Sequence, residues 1–252
     1  MNSLRRMLAV LDLFRPEQPL IDVETICREL AYTPASAYRY LRELGEVGLL
    51  VRLPRGYALG PRVIQLERQM SDHNPVLVHS RDLLDHLVAE TGLDALVSEL
   101  YGQSVINVGL QRGTDAAPPG VGRGRPIDLF RSATARVVLA YLQPRQIRRI
   151  YDAHAGDAGQ AQPGGDWKAF QKSMLAIRRQ GYCISRGELN PDRSGVAAPV
   201  FDEKHRVLGS ITLVGRMQRF DAFQESWLCA LVVRAAQELT RRIAEGDGGE
   251  GR

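Results

Sequence analysis

The 252-residue sequence predicts an α+β protein in two parts: three helices and a β-hairpin first, then a larger unit mixing helices with antiparallel strands. Three observations predict this. In the first 60 residues, apolar positions recur at helical spacing in short capped segments, and two β-type runs around a Pro/Gly turn follow. From residue 75 onward, helical patterns are interspersed with short β-branched runs. The composition, 44% hydrophobic and 25% charged, suits a chain that buries a core. No run approaches the roughly 18 apolar residues of a membrane span.

Leu4, Met7, Leu8, Leu11 and Phe14 share a helical face, so a first helix is expected to stop before Pro16. Val23, Ile26, Cys27 and Leu30 mark a second, with Asp22 as its N-cap. After Ala31-Tyr32, Thr33-Pro34 supplies the N-cap and N1 proline of a third. On that helix Ala37, Tyr40, Leu41 and Leu44 form the inward face. Ala35, Arg39 and Arg42 point the other way, flanked by Ser36 and Tyr38. Leu49–Leu53 and Tyr57–Leu59 around Pro54-Arg55-Gly56 predict the hairpin.

A short helix, a tight turn, a helix with an outward basic and hydroxyl face and then a hairpin fit a winged helix-turn-helix over residues 1–60. Thr33, Ala35, Ser36, Tyr38, Arg39 and Arg42 become the expected surface for double-stranded DNA. Arg52 and Arg55 become the wing's phosphate or minor-groove contacts. The alternative is a three-helix interaction module with solvated arginines. Eight Arg against seven Asp plus Glu in this stretch do not decide between them; the order of elements favours DNA.

Gly60-Pro61 ends the hairpin, and Val63, Leu66 and Met70 predict a connecting helix within 61–74. The second domain is expected over 75–245. Leu77, Leu84, Leu87 and Val88 mark its first helix, closing near Gly92. Ala95–Leu100 and Ser104–Leu110 read as a hairpin, and Gly195–Phe201 and Val207–Val214 as further strands. Trp167, Phe170, Met174 and Ile177 define a helix ended by Gly181, and Phe223, Trp227, Leu228, Leu231, Val232 and Ala235 the last one. Gly120–Gly124 and Ala155–Gly165 read as loops, the arginine-bearing first of which could close over an anionic ligand. Residues 246–252, rich in Gly and acid, are expected to be disordered.

A net charge of +4 weakly favours an anionic partner, although only Lys168, Lys172 and Lys204 are lysines and the arginine bias has other sources. Cys27, Cys183 and Cys229 are too far apart for a zinc spacing and read as buried, inert thiols. With scattered histidines, no P-loop and no G-x-S-x-G, no catalytic residue, metal or cofactor is expected. The N-terminus lacks a signal-peptide pattern, so a cytoplasmic location is expected.

Ser132-Ala133-Thr134-Ala135 places small side chains before the apolar run Val137-Val138-Leu139. Backbone N–H groups at such a helix start suit a carboxylate; tight helix-to-sheet packing is the equal alternative.

Several stretches, in order and spacing, resemble the IclR family of bacterial transcription regulators over nearly the whole chain. They are Ser3–Leu11, Pro34-Ala35-Ser36, Tyr57–Pro61, Ser132–Ala140, Gly181-Tyr182 followed by Glu188, Gly195–Val200 and Leu208–Thr212. Departures are Ala35, Ala37 and Tyr40 where the family often has lysine, threonine and arginine, Tyr32 at a common glycine, and Ala135-Arg136 at a usual Gly-Lys. The resemblance implies a GAF-like effector-binding domain, an antiparallel sheet flanked by helices. Its ligand site is lined by Ser185, Gly195 and Thr212 together with Ala133 and Thr134, with Ser185 standing where an acidic residue is frequent. It implies a homo-oligomeric, sequence-specific DNA-binding regulator, dimer or tetramer, whose operator binding answers to a small molecule such as an organic or aromatic acid. A sensor acting through protein partners and, less favoured, a hydrolytic enzyme are the rival classes.

Overall fold

The computed structural model describes residues 2–114, 122–154 and 166–247. Its contacts fall into two compact units, Met1–Asn74 and Pro75–Arg252.

In the first unit, helix α1 covers Ser3–Leu8, α2 Val23–Leu30 and α3 Pro34–Glu46. Asp22 caps α2 by accepting from Thr25 N, and Thr33 caps α3 by accepting from Ser36 N. Ala31, in the left-handed region at φ 54°, turns the chain between them. Strands β1 (Leu50–Leu53) and β2 (Gly56–Leu59) form an antiparallel hairpin, and Ile21 adds an isolated bridge to Tyr57. Gly56, at φ 143°, is needed where the hairpin crosses Ile21, since a Cβ there would stand 2.5 Å from the Ile21 carbonyl oxygen. Helix α4 (Pro61–His73) follows directly. Ala37, Tyr40, Leu41 and Leu44 of α3 are buried with Val10, Leu13, Ile21, Ile26 and Leu50.

The first helix is shorter than its apolar spacing predicts. The α-helix stops at Leu8, and Leu11–Leu13 form a separate 3-10 turn. That break re-phases the chain, so Val10 and Leu13 are buried while Leu4 and Leu8 stay exposed.

In the second unit, helix α5 (Pro75–Thr91) leads into β3 (Asp94–Tyr101) and β4 (Ser104–Gln111). Helices α6 (Ala133–Leu139), α7 (Pro144–Ala153) and α8 (Trp167–Gln180) precede β5 (Cys183–Arg186), β6 (Arg193–Phe201) and β7 (Val207–Arg216). The short α9 (Met217–Phe220) and the long α10 (Glu225–Asp247) complete it. The five strands form one fully antiparallel sheet in the order β4-β3-β7-β6-β5. Alternation along β6 explains the layering: Val196, Ala198 and Val200 pack in a core with residues of α5 and α10, whereas Ala197 joins a second core built by α6, α7 and α8. Residues 124–127 run along the free edge of β4, with Gly124 N donating to Asn107 O at 2.8 Å and Ile127 N to Val105 O at 2.9 Å.

Sequence reading missed α7, β5 and the four-residue α9, although Pro144 and the i, i+3, i+4 spacing of Ile147, Ile150 and Tyr151 signal α7. Ile147, Ile150 and Tyr151 are the buried positions of a strongly charged α7, and β5 spans four residues. Helix α10 continues through Asp247, two residues into the stretch 246–252. Gly246 passes close to His79, where a Cβ would stand 2.8 Å from its Nε2, so this glycine serves packing. Residues 248–252, Ala155–Gly165 and the part of the Gly120–Gly124 stretch up to Val121 lie outside the described residues. Cys183 and Cys229 are buried, but Cys27 is only half-buried. Burial pushes the Cys183 thiol up to about 11. No described helix is long and apolar enough to cross a membrane.

Candidate nucleic-acid interface and ligand cavity

In the N-terminal unit, the outward face of α3 lies beside the hairpin. Ala35, Tyr38, Arg39, Arg42 and, from β1, Arg52 line one open crevice of about 790 Å³, floored by Leu41, Leu50 and Tyr57. Tyr38 is 60% exposed although aromatic, which places a large apolar contact surface where a groove edge could meet it. Thr33, Ser36 and Arg55 are not part of this lining. The Thr33 hydroxyl donates to Ser36 Oγ at 3.0 Å and accepts from Ser36 N at 3.3 Å, so this pair is spent largely on starting the helix. Arg55 stands exposed in the hairpin turn. Arg42 pairs with Glu43 at 3.1 Å and Glu46 at 3.7 Å. Such exposed pairs are worth about 0–1 kcal/mol and exchange readily for a phosphate or base edge.

In the C-terminal unit, one cavity of about 410 Å³ sits between the sheet, the start of α6 and residues 125–128. Ala133, Thr134, Ser185, Gly195 and Thr212 all line it. They come from α6, β5, β6 and β7, elements that antiparallel register brings into line: Ser185 pairs with Gly195, and Thr212 with Ala197 and Leu96. Thr134 and Thr212 are 7% and 3% exposed, and their hydroxyls meet at 3.0 Å. Ser210 Oγ donates to Thr134 O at 3.1 Å, tying α6 down to β7. Gly195 adds no side chain to this wall, where a Cβ would stand 3.3 Å from Leu213 O and 3.6 Å from Ser185 Oγ.

Sequence reading missed part of this lining. Arg193, Asp128 and Asn107 belong to the cavity, as does Arg125, which lies one residue past the Gly120–Gly124 loop. Arg193 has a side chain only 7% exposed and lies 3.7 Å from Asp94 Oδ2. Asp94, itself fully buried, accepts from Gly113 N at 2.8 Å. The signal available was a charged residue opening an apolar β run, which periodicity does not score. Asp128 accepts from Phe130 N at 3.0 Å and Arg131 N at 2.8 Å, and pairs with Arg131 Nε at 2.9 Å. Burial pushes its carboxyl up, but these N–H donors and the Arg131 charge outweigh that and hold it below the usual carboxylate range. The carboxylate thereby fixes the turn that enters α6.

Chemically, the cavity offers a mostly apolar body, hydroxyls at one part of the wall and arginines at another. That combination suits reversible capture of a small amphipathic anion. Its volume is adequate for a ligand of one ring.

Two family models match the chain: the IclR helix-turn-helix domain over residues 3–54 and the bacterial transcriptional regulator IclR C-terminal domain over residues 69–241. Among curated relatives, the Pca regulon regulatory protein of Pseudomonas putida is 21% identical over 247 residues, covering 96% of this chain and 84% of its own. The HTH-type transcriptional regulator KipR of Bacillus subtilis is 23% identical over 240 residues, covering 94% and 95%. The solved IclR transcriptional regulator of Alicyclobacillus acidocaldarius superposes with a TM-score of 0.79 at 25% identity, covering 96% of this chain and 97% of that one. An IclR homolog of Microbacterium hydrocarbonoxydans, solved in complex with 4-hydroxybenzoate, gives 0.82 at 18% identity, covering 96% and 99%.

Proposed function

This chain belongs to the IclR family of bacterial transcriptional regulators, and on that premise we propose that it is a cytoplasmic regulator whose sequence-specific operator binding is controlled by a small organic acid. The single observation that carries the sensing half is the 410 Å³ cavity with buried Thr134 and Thr212 at one part of its wall and Arg125 and Arg193 at another. An acid of this size is bound with Ala133, Thr134, Ser185, Gly195 and Thr212 around its body, and the two arginines draw in its charge. The 4-hydroxybenzoate held by the Microbacterium homolog supports an aromatic acid as the first class to try. The relatives' names are those of regulators, which favours this reading over catalysis.

For the reading half, α3 enters the major groove with Ala35, Tyr38, Arg39 and Arg42 facing the duplex, while Thr33 and Ser36 stand at its N-terminus and Arg52 and Arg55 follow the backbone. One unit of this size touches few base pairs, so a second copy supplies the other half-site. None of the residues of α4 is buried, and Ile64, at 71% exposed, stands with exposed Leu66 and Met70. With Leu4 and Leu8 of α1, these make the self-association surface we propose. Sedimentation at micromolar concentration should give a dimer or tetramer; a strictly monomeric chain that grips one half-site tightly would overturn it.

The test of the whole reading is selection of DNA from a random-sequence pool by the full chain, followed by titration of the selected duplex with a panel of aromatic and aliphatic acids. A defined motif whose affinity one acid class changes is the expected result. Retention of no sequence above background at moderate salt would refute operator reading, leaving the alternative of a sensor that acts through protein partners.

A further inference from the structure

A cluster joining α1 to α3 brings Arg39 together with Arg6, Tyr32 and Tyr40, to which no part in DNA reading has been given. The Arg6 guanidinium carbon lies 4.4 Å from the centre of the Tyr32 ring, and the Tyr32 hydroxyl donates to Arg6 O at 3.0 Å. Tyr32 and Tyr40 are buried and meet edge to face, with ring centres 5.7 Å apart. On the other ring, the Arg39 guanidinium carbon lies 5.1 Å from the Tyr40 centre, and Arg39 Nη2 makes a long 3.4 Å contact to the Tyr40 hydroxyl. Ser3 Oγ is 3.4 Å from that same hydroxyl. The Ser3 contact, aided by the Arg39 and Arg6 charges, holds the Tyr40 phenol below the usual tyrosine range.

Two arginines from different helices are thus each seated against one ring of an aromatic pair. A guanidinium that stacks by its face keeps most of its in-plane N–H donors for an oxyanion. Seating also removes rotamer freedom that would otherwise be lost on binding, which strengthens each contact made.

We propose that Tyr32 and Tyr40 are positioning residues that hold Arg6 and Arg39 as a two-point clamp for the phosphate backbone of DNA. The clamp rests on the DNA-reading function proposed above, but it makes separate demands. Contacts to phosphate are indifferent to sequence, so losses at Arg6 fall equally on operator and random DNA. Loss of the Tyr40 hydroxyl removes no charge and acts only through Arg39.

The experiment is a salt series on the full chain with a labelled random-sequence duplex, alongside thermal unfolding of each variant. Arg6→Ala and Arg39→Ala should each flatten the slope of log affinity against log salt by about 0.9. Tyr40→Phe should weaken binding about three- to tenfold at low salt, the range of one neutral hydrogen bond. In an Arg39→Ala background, Tyr40→Phe should change nothing further. Should Tyr40→Phe unfold, Arg6→Lys at its half-buried position provides the second reading: slope retained, affinity reduced. An unchanged slope for Arg6→Ala, or an equal Tyr40→Phe loss in both backgrounds, overturns the clamp while DNA reading stands. A wild-type chain that binds no duplex even at low salt overturns both, and this is seen before any variant is made.

Discussion

The N-terminal surface displays its candidate residues, whereas the C-terminal cavity encloses them. Tyr38, Arg39, Arg42 and Arg52 stand in an open crevice on two adjacent elements; Thr134, Thr212 and Arg193 are buried where five strands and a helix meet. A polymer partner brings its own extended shape and needs only a projecting, charged face. A small ligand must be surrounded, so its site draws single residues from across 118 positions of chain, Leu96 to Val214 counted as a difference of residue numbers. Energetics differ likewise. Exposed arginines act through counterion release and are sensitive to salt, while buried hydroxyls act through short-range bonds that salt scarcely touches.

The largest expected effect lies on the open side. Arg39→Ala/Arg42→Ala should weaken selected operator DNA at least about a hundredfold, since it removes a backbone anchor together with a residue placed to contact a base edge, the latter worth roughly 1–3 kcal/mol. Its thermal unfolding should stay near wild type because both side chains are exposed. Undiminished operator binding by the folded double variant would break the open half of the comparison.

On the enclosed side, Thr212→Val preserves shape but ends the 3.0 Å contact with Thr134. The acid that acts on wild type should be needed at roughly three- to tenfold higher concentration, the range of one neutral hydrogen bond of about 0.5–1.5 kcal/mol. Calorimetry with that acid checks it, and an equal affinity in both proteins removes Thr212 from the site.

Asp128→Asn tests the frame around the cavity and should cost about 1–2 kcal/mol at neutral pH, as for loss of a charged turn cap. Because the folded carboxyl is held below its unfolded value, its stabilisation is present above the unfolded pKa and fades as pH falls through the folded one. Denaturant curves for wild type and variant should therefore converge in acid; a gap independent of pH would mean the lost interaction is not the carboxylate's. The smallest effect belongs to Arg55→Ala in the wing turn. It should lower all DNA affinities evenly, a few-fold, and flatten the salt slope by about 0.9, which a salt titration reads directly. A loss confined to one sequence would show that Arg55 reads bases.

How much of this was legible in the sequence follows from the same contrast. Thr33-Pro34 starts α3 as its capping chemistry dictates, and the buried Ala37, Tyr40, Leu41 and Leu44 follow from 3.6-residue periodicity. The hairpin strands and α8, ended by Gly181 in the left-handed region, were legible for equally local reasons. The break after Leu8 was not, because Leu11 and Phe14 continue an α-helical count that the 3-10 turn abandons. Arg193 stayed hidden because its role depends on Asp94, a partner fixed only by sheet register, and Asp128 because the cavity it lines forms only where residues 124–127 run beside β4. The five cavity residues named from sequence came from the family resemblance and the small-residue turn; periodicity offered no reason to group Ser185 with Thr212. Tyr32 and Tyr40 registered only as departures, and their joint function emerges from ring geometry.

On the proposed function, reading and sensing occupy different units and can be damaged one at a time. The most direct test measures, on three full-length proteins, operator affinity without acid and acid affinity without DNA. For Thr212→Val the account predicts wild-type operator affinity and weakened acid binding, and for Arg39→Ala/Arg42→Ala the reverse. Measuring each ligand in the absence of the other keeps reciprocal coupling out of the comparison. If either folded variant loses both affinities together, the division of labour is contradicted.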